Sequence, residues 1–329
     1  MDFSELSRLV GGHIEARIVH AAVELGVFDV LRDGALETVY VASALHTDAR
    51  AIELLLNSLV AMQLVEKQLN KFSLTATAKT YLVSDAPRSL CGMIRFDASL
   101  WNCWERLSET VRSGRPARAP NMYQDDPRET EIFIHAMDSL VRARGDTEII
   151  ATALDWRGVT ALLDIGSGPA TYPIALCRKY PQLRATIIDL EATIKITRQV
   201  VHAAGLEERL RLLVGDYRSD PIPGHYERIF LSNIIHSEGF DENQRLMAKL
   251  YANLSSRGRI VLKDHILDMT RTQPPVGAIF SLLMLLTTQS GRCYGFDEIK
   301  AWLENAGFHG VTQIDLPPPL TSSLVVGEK

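Results

Sequence analysis

Cysteine is scarce in this sequence, and its spacing suits neither a metal cluster nor a disulfide framework. The four cysteines, Cys91, Cys103, Cys177 and Cys293, are scattered and form no Cys-x-x-Cys pair. We therefore expect no zinc site, no other bound metal and no disulfides. Free thiols are typical of a reducing compartment, so the composition predicts a cytoplasmic protein.

Long hydrophobic runs and a secretory leader are also missing. The most apolar stretch, residues 276–286, is shorter than the roughly 20 residues that span a bilayer, and it predicts a buried helix. The first residues include Asp2 and Glu5 and lack a basic head followed by an apolar segment, which argues against a signal peptide. The sequence predicts no membrane partner.

Positive charge is not in excess. Lys and Arg total 35 against 40 Asp and Glu, which gives a formal net charge of -5. Sequence-independent nucleic-acid binding needs a basic surface, so we expect no nucleic-acid partner. The chain has 329 residues, of which 46% are hydrophobic, and two domains are the expected organisation.

The N-terminal part has the pattern of a winged helix. A helical segment over 13–31 is followed by a helix over 48–62 and by a predicted hairpin of strands 65–67 and 71–74, after which Thr75 caps a further helix. The helix over 48–62 is mostly Leu, Ala and Val, whereas a DNA-recognition helix offers basic and amide side chains. We therefore favour packing or dimerisation over DNA binding.

The second half alternates strands and helices, which predicts an α/β sheet. The loop at 114–120 and a helical stretch over 127–153 precede it. We predict three regions: a winged-helix-like domain over 1–105, a helical linker and substrate-pocket region over 106–157, and a Rossmann-like domain over 158–329. The predicted strands lie at 159–165, 184–190, 210–216, 228–235 and 259–267, with two more near the end of the chain.

Ligands of such sheets bind beyond the carboxyl ends of the strands, so the residues at those ends are informative. The first strand ends in Asp164, followed by Gly166 and Gly168, which allow a tight turn and close approach of a ligand. Thr171 stands where a dinucleotide-binding loop has its third glycine, and no Gly-Lys-Ser/Thr follows. Dinucleotide and P-loop sites are therefore disfavoured.

Two further carboxylates close the next strands. Asp189 ends the second strand, where it can accept both hydroxyls of a ribose, and Asp216 ends the third. Together with Asp164 they would repel a phosphate and suit a cationic nucleoside. A sulfonium that carries ribose and adenine has these properties, so we predict S-adenosylmethionine as the cofactor.

On these residues the chain resembles the class I S-adenosylmethionine-dependent methyltransferases, and in particular the dimeric small-molecule O-methyltransferases, whose winged-helix region builds a homodimer. The resemblance implies a mostly parallel seven-stranded Rossmann-like sheet with an N-terminal, mainly helical dimerisation domain. It also implies S-adenosylmethionine as cofactor and S-adenosylhomocysteine as product. The implied cofactor-binding residues are Asp164, Gly166, Gly168, Asp189, Leu190, Asp216, Tyr217, Ser232 and Asn233.

The same resemblance implies the catalytic residues. The family has a histidine as general base where His236 stands, and an acidic residue that orients it where Asp264 stands. Plant members commonly have His-Asp-Trp where this chain has His236-Ser237-Glu238, and many have a second acidic residue near Cys293. These departures concern the support of the base rather than the cofactor.

The substrate is expected to be a small, partly aromatic metabolite, methylated on a phenol or enol oxygen. The resemblance places Trp101, Phe133, Met137, Phe280 and Met284 around it. C- or N-methylation, or an atypical S-adenosylmethionine-dependent reaction, stays open because one fold hosts several reactions. A winged-helix DNA-binding regulator is the less favoured alternative.

Overall fold

The computed structural model describes residues 1–119 and 122–329, without the side chains of residues 122 and 123. The described chain forms two compact units. The first contains Met1–Trp101 and His135–Arg144, and the second contains Asn102–Ile134 and Gly145–Lys329. The boundaries near 105 and 157 stay a prediction. The loop predicted at 114–120 is irregular over 114–119, and Pro120 lies outside the described residues.

The first unit is mainly helical and contains a small antiparallel sheet of strand order β1-β3-β2. The predicted hairpin is present. Its elements are α1 (Phe3–Leu25), α2 (Val27–Val30), β1 (Leu36–Glu37), α3 (Thr38–Leu45), α4 (Ala49–Ala61), β2 (Val65–Gln68), β3 (Lys71–Leu74), α5 (Ala76–Tyr81) and α6 (Cys91–Ser99).

Local capping and periodicity explain these elements. The Asp48 carboxylate accepts a hydrogen bond from the Ala51 amide at 2.8 Å and begins α4, the helix predicted over 48–62. Ile52, Leu56 and Leu59 lie on one face of α4 and are buried, as helical spacing requires. The Thr75 hydroxyl caps α5, as predicted.

The second unit contains the large sheet and most of the remaining helices. A short 3-10 turn covers Ile235–Ser237. The other elements from residue 101 onwards are α7 (Trp101–Glu105), α8 (Leu107–Ser113), α9 (Met122–Asp125), α10 (Pro127–Arg144), α11 (Asp146–Ala153), β4 (Ala161–Ile165), α12 (Thr171–Lys179), β5 (Arg184–Asp189), α13 (Glu191–Ala204), β6 (Leu210–Val214), β7 (Tyr226–Ser232), α14 (Phe240–Asn253), β8 (Leu254–Asp264), α15 (Pro275–Thr287), α16 (Phe296–Ala306), β9 (His309–Asp315) and β10 (Ser323–Glu328).

The seven-stranded sheet has the order β6-β5-β4-β7-β8-β10-β9. The strands from β6 to β8 pair in parallel, and β10 is antiparallel to both of its neighbours. The predicted α/β class with a mostly parallel sheet is confirmed. Because β4 has β5 on one side and β7 on the other, the strand order reverses there, and a ligand crevice is expected at their carboxyl ends.

The predicted helix over 127–153 is two helices rather than one. Gly145 adopts φ 74°, a left-handed conformation that separates α10 from α11. No helix in the described ranges is long and apolar enough to cross a membrane. Within the same ranges, no three histidine, cysteine or acidic side chains are grouped so that they could hold a metal ion.

Candidate active site

The glycine-rich turn between β4 and α12 is built from left-handed backbone. Gly166 and Gly168 have φ values of 60° and 58°, and Ala170 has the same conformation at 60°. The Gly166 amide donates to the Ile188 carbonyl at 2.9 Å, which ties the turn to β5. A Cβ at Gly166 would collide with the Ile234 side chain. Only glycine therefore fits at this position while Ile234 keeps its place.

This geometry predicts that two similar substitutions differ in cost. Gly168→Ala should lower the free energy of unfolding by about 1 kcal/mol through backbone strain, since its Cβ would meet only Ile134 at 3.6 Å. Gly166→Ala should cost roughly 1–3 kcal/mol more, because Ile234 must move as well. Urea unfolding measures both variants, and equal costs would refute the steric argument.

Two of the predicted carboxylates lie at this turn. Asp164 is buried and accepts a hydrogen bond from the Ser167 hydroxyl at 2.8 Å. Burial raises the pKa of Asp164 to about 8, with the Asp189 charge adding to the effect. Asp189 accepts hydrogen bonds from the amides of Gly168 and Leu190 at 2.9 and 2.8 Å. Burial raises the pKa of Asp189 to about 6 against these donors.

The raised pKa of Asp189 predicts a pH dependence of cofactor binding. Only the ionised carboxylate can accept two ribose hydroxyls, so affinity should be complete above about pH 6. It should fall as the pH drops through that value, approaching about tenfold per pH unit. Calorimetric titration with S-adenosylhomocysteine between pH 5 and 7.5 measures the slope. Asp189→Asn should bind weakly with little slope, and an unchanged slope in that variant would contradict the assignment.

The third predicted carboxylate, Asp216, is paired with a cation. Asp216 accepts hydrogen bonds from the Arg218 amide at 2.9 Å and from its guanidinium at 2.8 Å. The hydrogen bonds to the Arg218 side chain, opposed by partial burial, hold the pKa of Asp216 below its usual value. The crevice was expected to hold three like charges, but one of them is paired with Arg218. The sequence pattern did not predict this cation.

Tyr217 and two residues that follow β7 complete the predicted cofactor set. The Tyr217 hydroxyl donates to Glu238 at 2.8 Å, and burial followed by the Glu238 charge raises the pKa of Tyr217. Ser232 ends β7 and is half-buried. Asn233 has φ 59°, and its buried Oδ1 has no hydrogen-bond partner among the described residues. An unpaired buried oxygen is costly unless a ligand supplies a donor.

His236 and Asp264 form a buried pair. His236 Nδ1 lies 2.8 Å from Asp264 Oδ1, and their side chains are 8% and 2% exposed. Burial opposes ionisation of Asp264, but the charge and N–H of His236, helped by His265, hold the pKa of Asp264 below its usual value. An ionised carboxylate accepts a hydrogen bond from the N–H at Nδ1 and leaves Nε2 as the basic nitrogen.

Two further residues surround this pair. The His265 amide donates to Asp264 Oδ1 at 2.8 Å, and His265 Nδ1 lies 3.1 Å from the Thr321 carbonyl oxygen. Cys293 is buried, and burial followed by the Asp264 charge raises its pKa to about 12. The thiol therefore stays neutral and does not replace a second carboxylate. Cys293 could be named from the sequence, whereas the role of His265 was missed, and its position directly after Asp264 was the available signal.

The predicted substrate-contacting residues belong to both units. The Phe280 ring packs edge-on against His236, with centroids 4.9 Å apart, and Met284 lies one turn later on α15. Phe133 is half-buried in the second unit. Trp101, whose ring contacts His20 edge-on, and Met137 belong to the first unit. The roles of these five residues stay predictions.

Comparison with known proteins identifies the family. A model of the O-methyltransferase domain matches residues 104–309, and a model of the O-methyltransferase dimerisation domain matches residues 7–84. The first match covers more than half of the chain. The chain therefore belongs to the O-methyltransferase family and is an S-adenosylmethionine-dependent enzyme, as predicted.

Individual relatives are similar over nearly the whole chain. The 3-hydroxy-5-methyl-1-naphthoate 3-O-methyltransferase of Streptomyces sahachiroi is 28% identical over 98% of this chain and 94% of its own length. The N,N-dimethyltransferase OxyT of Streptomyces rimosus is 25% identical over 92% and 90% of the two chains. The structure of PigF with S-adenosylhomocysteine superposes with a TM-score of 0.90 at 25% identity, covering 100% of both chains.

The residues at the crevice fit this cofactor. Asp189 offers a carboxylate to hydroxyl donors, and Asn233 Oδ1 needs a donor. The Asp189 carboxylate, with a pKa of about 6, is mostly ionised at neutral pH, so it suits a cationic ligand and disfavours a phosphate.

Proposed function

We propose that His236 is the general base of an O-methyltransferase that acts on the phenol or enol hydroxyl of a small, partly aromatic metabolite. The observation that supports this role is the 2.8 Å contact between His236 Nδ1 and Asp264 Oδ1 in a buried setting. The carboxylate fixes the tautomer and stabilises the imidazolium that forms when Nε2 takes the substrate proton. We assign Asp264 as the residue that orients this base.

Proton affinities restrict the substrate. An ordinary imidazole has a pKa near 6.5 and a phenol near 10, so proton transfer is uphill by roughly 5 kcal/mol. A neighbouring carboxylate reduces this gap. An aliphatic alcohol, with a pKa closer to that of water, would raise the cost to roughly 12 kcal/mol. The enzyme therefore fits an acidic hydroxyl, which it must align with the methyl donor.

The cofactor lies, in this proposal, across the carboxyl ends of β4, β5, β6 and β7. Asp189 and the Leu190 amide hold the ribose side, and Asp216 and Tyr217 flank the adenine. Asp164, Gly166 and Gly168 form the loop, and Ser232 and Asn233 lie near the methionine part. The bound cofactor supplies the methyl group from its sulfonium sulfur, and the chain's task is to position the acceptor and take its proton.

The relatives give the substrate class and one alternative. The Streptomyces sahachiroi enzyme is named for a hydroxylated naphthoate, which supports a fused aromatic phenol here. OxyT is named as an N,N-dimethyltransferase, so an amine acceptor is the second candidate. Incubation with methyl-labelled cofactor and hydroxylated or aminated naphthoates, followed by carbon NMR of the product, separates them. An O-methyl signal supports the proposal, and an N-methyl signal on the amine alone rejects it.

We also propose that the chain forms a homodimer through its N-terminal domain. Helix α1 exposes Phe3, Leu6, Val10 and Ile14, which recur at helical spacing, and Val10 is 68% exposed. The match to a dimerisation domain over residues 7–84 includes most of this helix. Such a face is costly in water and typical of an interface.

The dimer predicts a specific change in mass. Light scattering should give twice the chain mass for the unaltered protein and the chain mass for Leu6→Glu with Val10→Glu, because two charges would be buried in the interface. Leu69→Glu is the matched control, since Leu69 is 97% exposed at the hairpin tip. A dimer that survives the double substitution would exclude α1 from the interface.

Free cysteines support a cytoplasmic location. Cys91, Cys103, Cys177 and Cys293 are all buried and unpaired. Reduced thiols are the normal state in a cytosol, and secreted chains more often carry disulfides. We propose the cytoplasm on this ground.

A further inference from the structure

Glu238 has no role in the mechanism above, yet its carboxylate lies at the same end of the sheet. Its Oε1 accepts a hydrogen bond from the Tyr217 hydroxyl at 2.8 Å, and among the described residues Oε2 forms no hydrogen bond. We propose that Glu238 Oε2 accepts an N–H of the adenine amine and makes Glu238 the residue that selects adenine. This inference rests on the proposed cofactor site.

The position of Tyr217 connects Glu238 to the glycine loop. The Tyr217 ring passes 3.8 Å from the point where a Cβ of Gly166 would stand, and Ile234 faces the same point. Tyr217 follows β6, and Glu238 follows the 3-10 turn after β7. The hydrogen bond between them therefore joins the loops on the two sides of the glycine turn, where the nucleoside is proposed to lie.

Asp216 is the other carboxylate available for the amine, but its oxygens are already engaged. Oδ1 accepts from the amide and Nε of Arg218, both at 2.9 Å. Oδ2 accepts from Nη2 at 2.8 Å and from Nε at 3.1 Å. An incoming amine would have to displace charge-assisted hydrogen bonds. Glu238 has one oxygen available without that cost.

The backbone around Glu238 is held in place. The Glu238 carbonyl accepts hydrogen bonds from the Tyr294 hydroxyl at 2.7 Å and from Asn243 Nδ2 at 3.3 Å. The same Asn243 amide donates to the Ile235 carbonyl at 2.8 Å, and Lys249 Nζ donates to the Tyr217 carbonyl at 2.7 Å. Both members of the pair are thus preorganised, so little conformational entropy is lost on binding.

A carboxylate at this position would distinguish adenine from hypoxanthine. The adenine amine donates a hydrogen bond, whereas the 6-oxo group of hypoxanthine accepts one and would face the lone pairs of Glu238. A hydrogen bond to a charged group accounts for roughly 10- to 100-fold in affinity. The unaltered protein should therefore bind S-adenosylhomocysteine at least tenfold more tightly than S-inosylhomocysteine.

Calorimetry with these two ligands tests the inference. Glu238→Gln keeps the size of the side chain but adds an amide donor that can turn toward the 6-oxo group, so the affinity ratio should fall by about tenfold or more. Tyr217→Phe, which keeps the ring and releases Glu238, should reduce the ratio to a smaller extent. Glu242→Gln is the matched control, since Glu242 is exposed and paired with Arg245 at 2.7 Å, and it should keep the ratio.

The outcomes of these measurements distinguish the role of Glu238 from the proposed cofactor site. A ratio that collapses in Glu238→Gln and persists in Asp216→Asn supports the inference. A ratio unchanged in Glu238→Gln, or lost only in Asp216→Asn, overturns it while the cofactor site stands. Absence of S-adenosylhomocysteine binding by the unaltered protein overturns the proposed cofactor site and the inference with it.

Discussion

Substitution of His236 by alanine is expected to lower kcat by a factor of about 100 to 10,000, the usual range for loss of a general base. The affinity for S-adenosylhomocysteine should change little. His236 is hydrogen-bonded to Asp264 and packed against Phe280, whereas the proposed ribose contacts, Asp189 and the Leu190 amide, lie at the end of β5. Initial rates with a hydroxylated naphthoate and calorimetry with the product cofactor measure the two quantities separately.

Two variants control this experiment. Asp264→Asn removes the charge that fixes the tautomer of His236, so it should also lower kcat, by at least tenfold, with cofactor affinity retained. His202→Ala should leave kcat unchanged, because His202 is 80% exposed and pairs only with Glu207 among the described residues. An unchanged kcat in His236→Ala would reject the general base and leave alignment of the two reactants as the source of the rate.

The periodicity of the sequence predicted most of the fold because strands and helices are local patterns. The buried runs at β4 and β5 were each found within two residues of their observed bounds. Strand β8 begins at Leu254 rather than at 259, and its early residues include the exposed Ser256. Pairing with β7 extends this strand, and an apolar pattern cannot reveal pairing through the backbone.

The candidate site also has a part that the sequence predicts and a part that it does not. Residues at or after strand ends, such as Asp189 and His236, could be named from the sequence because parallel strands bring their ends together. The contacts of Arg218 with Asp216 and of Glu238 with Tyr217 could not be named, because they depend on how the loops fold. The charge of the crevice was therefore overestimated at Asp216, which Arg218 pairs.

A buried ion pair at β8, next to Asp264, was not predicted from the sequence. Lys263 Nζ lies 3.3 Å from Asp146 Oδ2, and neither side chain is exposed. The Tyr172 hydroxyl donates to the same oxygen at 3.0 Å. A lysine inside an apolar strand departs from the hydrophobic pattern of that strand. Its partner, Asp146, lies far earlier in the chain. This arrangement joins α11 and α12 to β8, next to Asp264.

Replacing Lys263 with methionine is expected to lower the free energy of unfolding by about 3–5 kcal/mol, because it removes the buried ammonium that faces the Asp146 carboxylate. Asp146→Asn should cost a similar amount, since it removes the carboxylate charge that faces the buried ammonium. Urea unfolding followed by fluorescence measures both, and the buried Trp156 and Trp302 report on the second unit. The double variant should be more stable than the sum of the single costs implies.

A surface pair provides the matched control. Lys195 Nζ lies 3.0 Å from Glu191, but these side chains are 68% and 70% exposed, so Lys195→Met should change stability by less than about 0.5 kcal/mol. The two pairs have similar separations, and they differ in burial. If Lys263→Met and Lys195→Met had equal effects, burial would not determine the cost. The strand that carries Asp264 would then be held in place by packing, without a contribution from the buried charges.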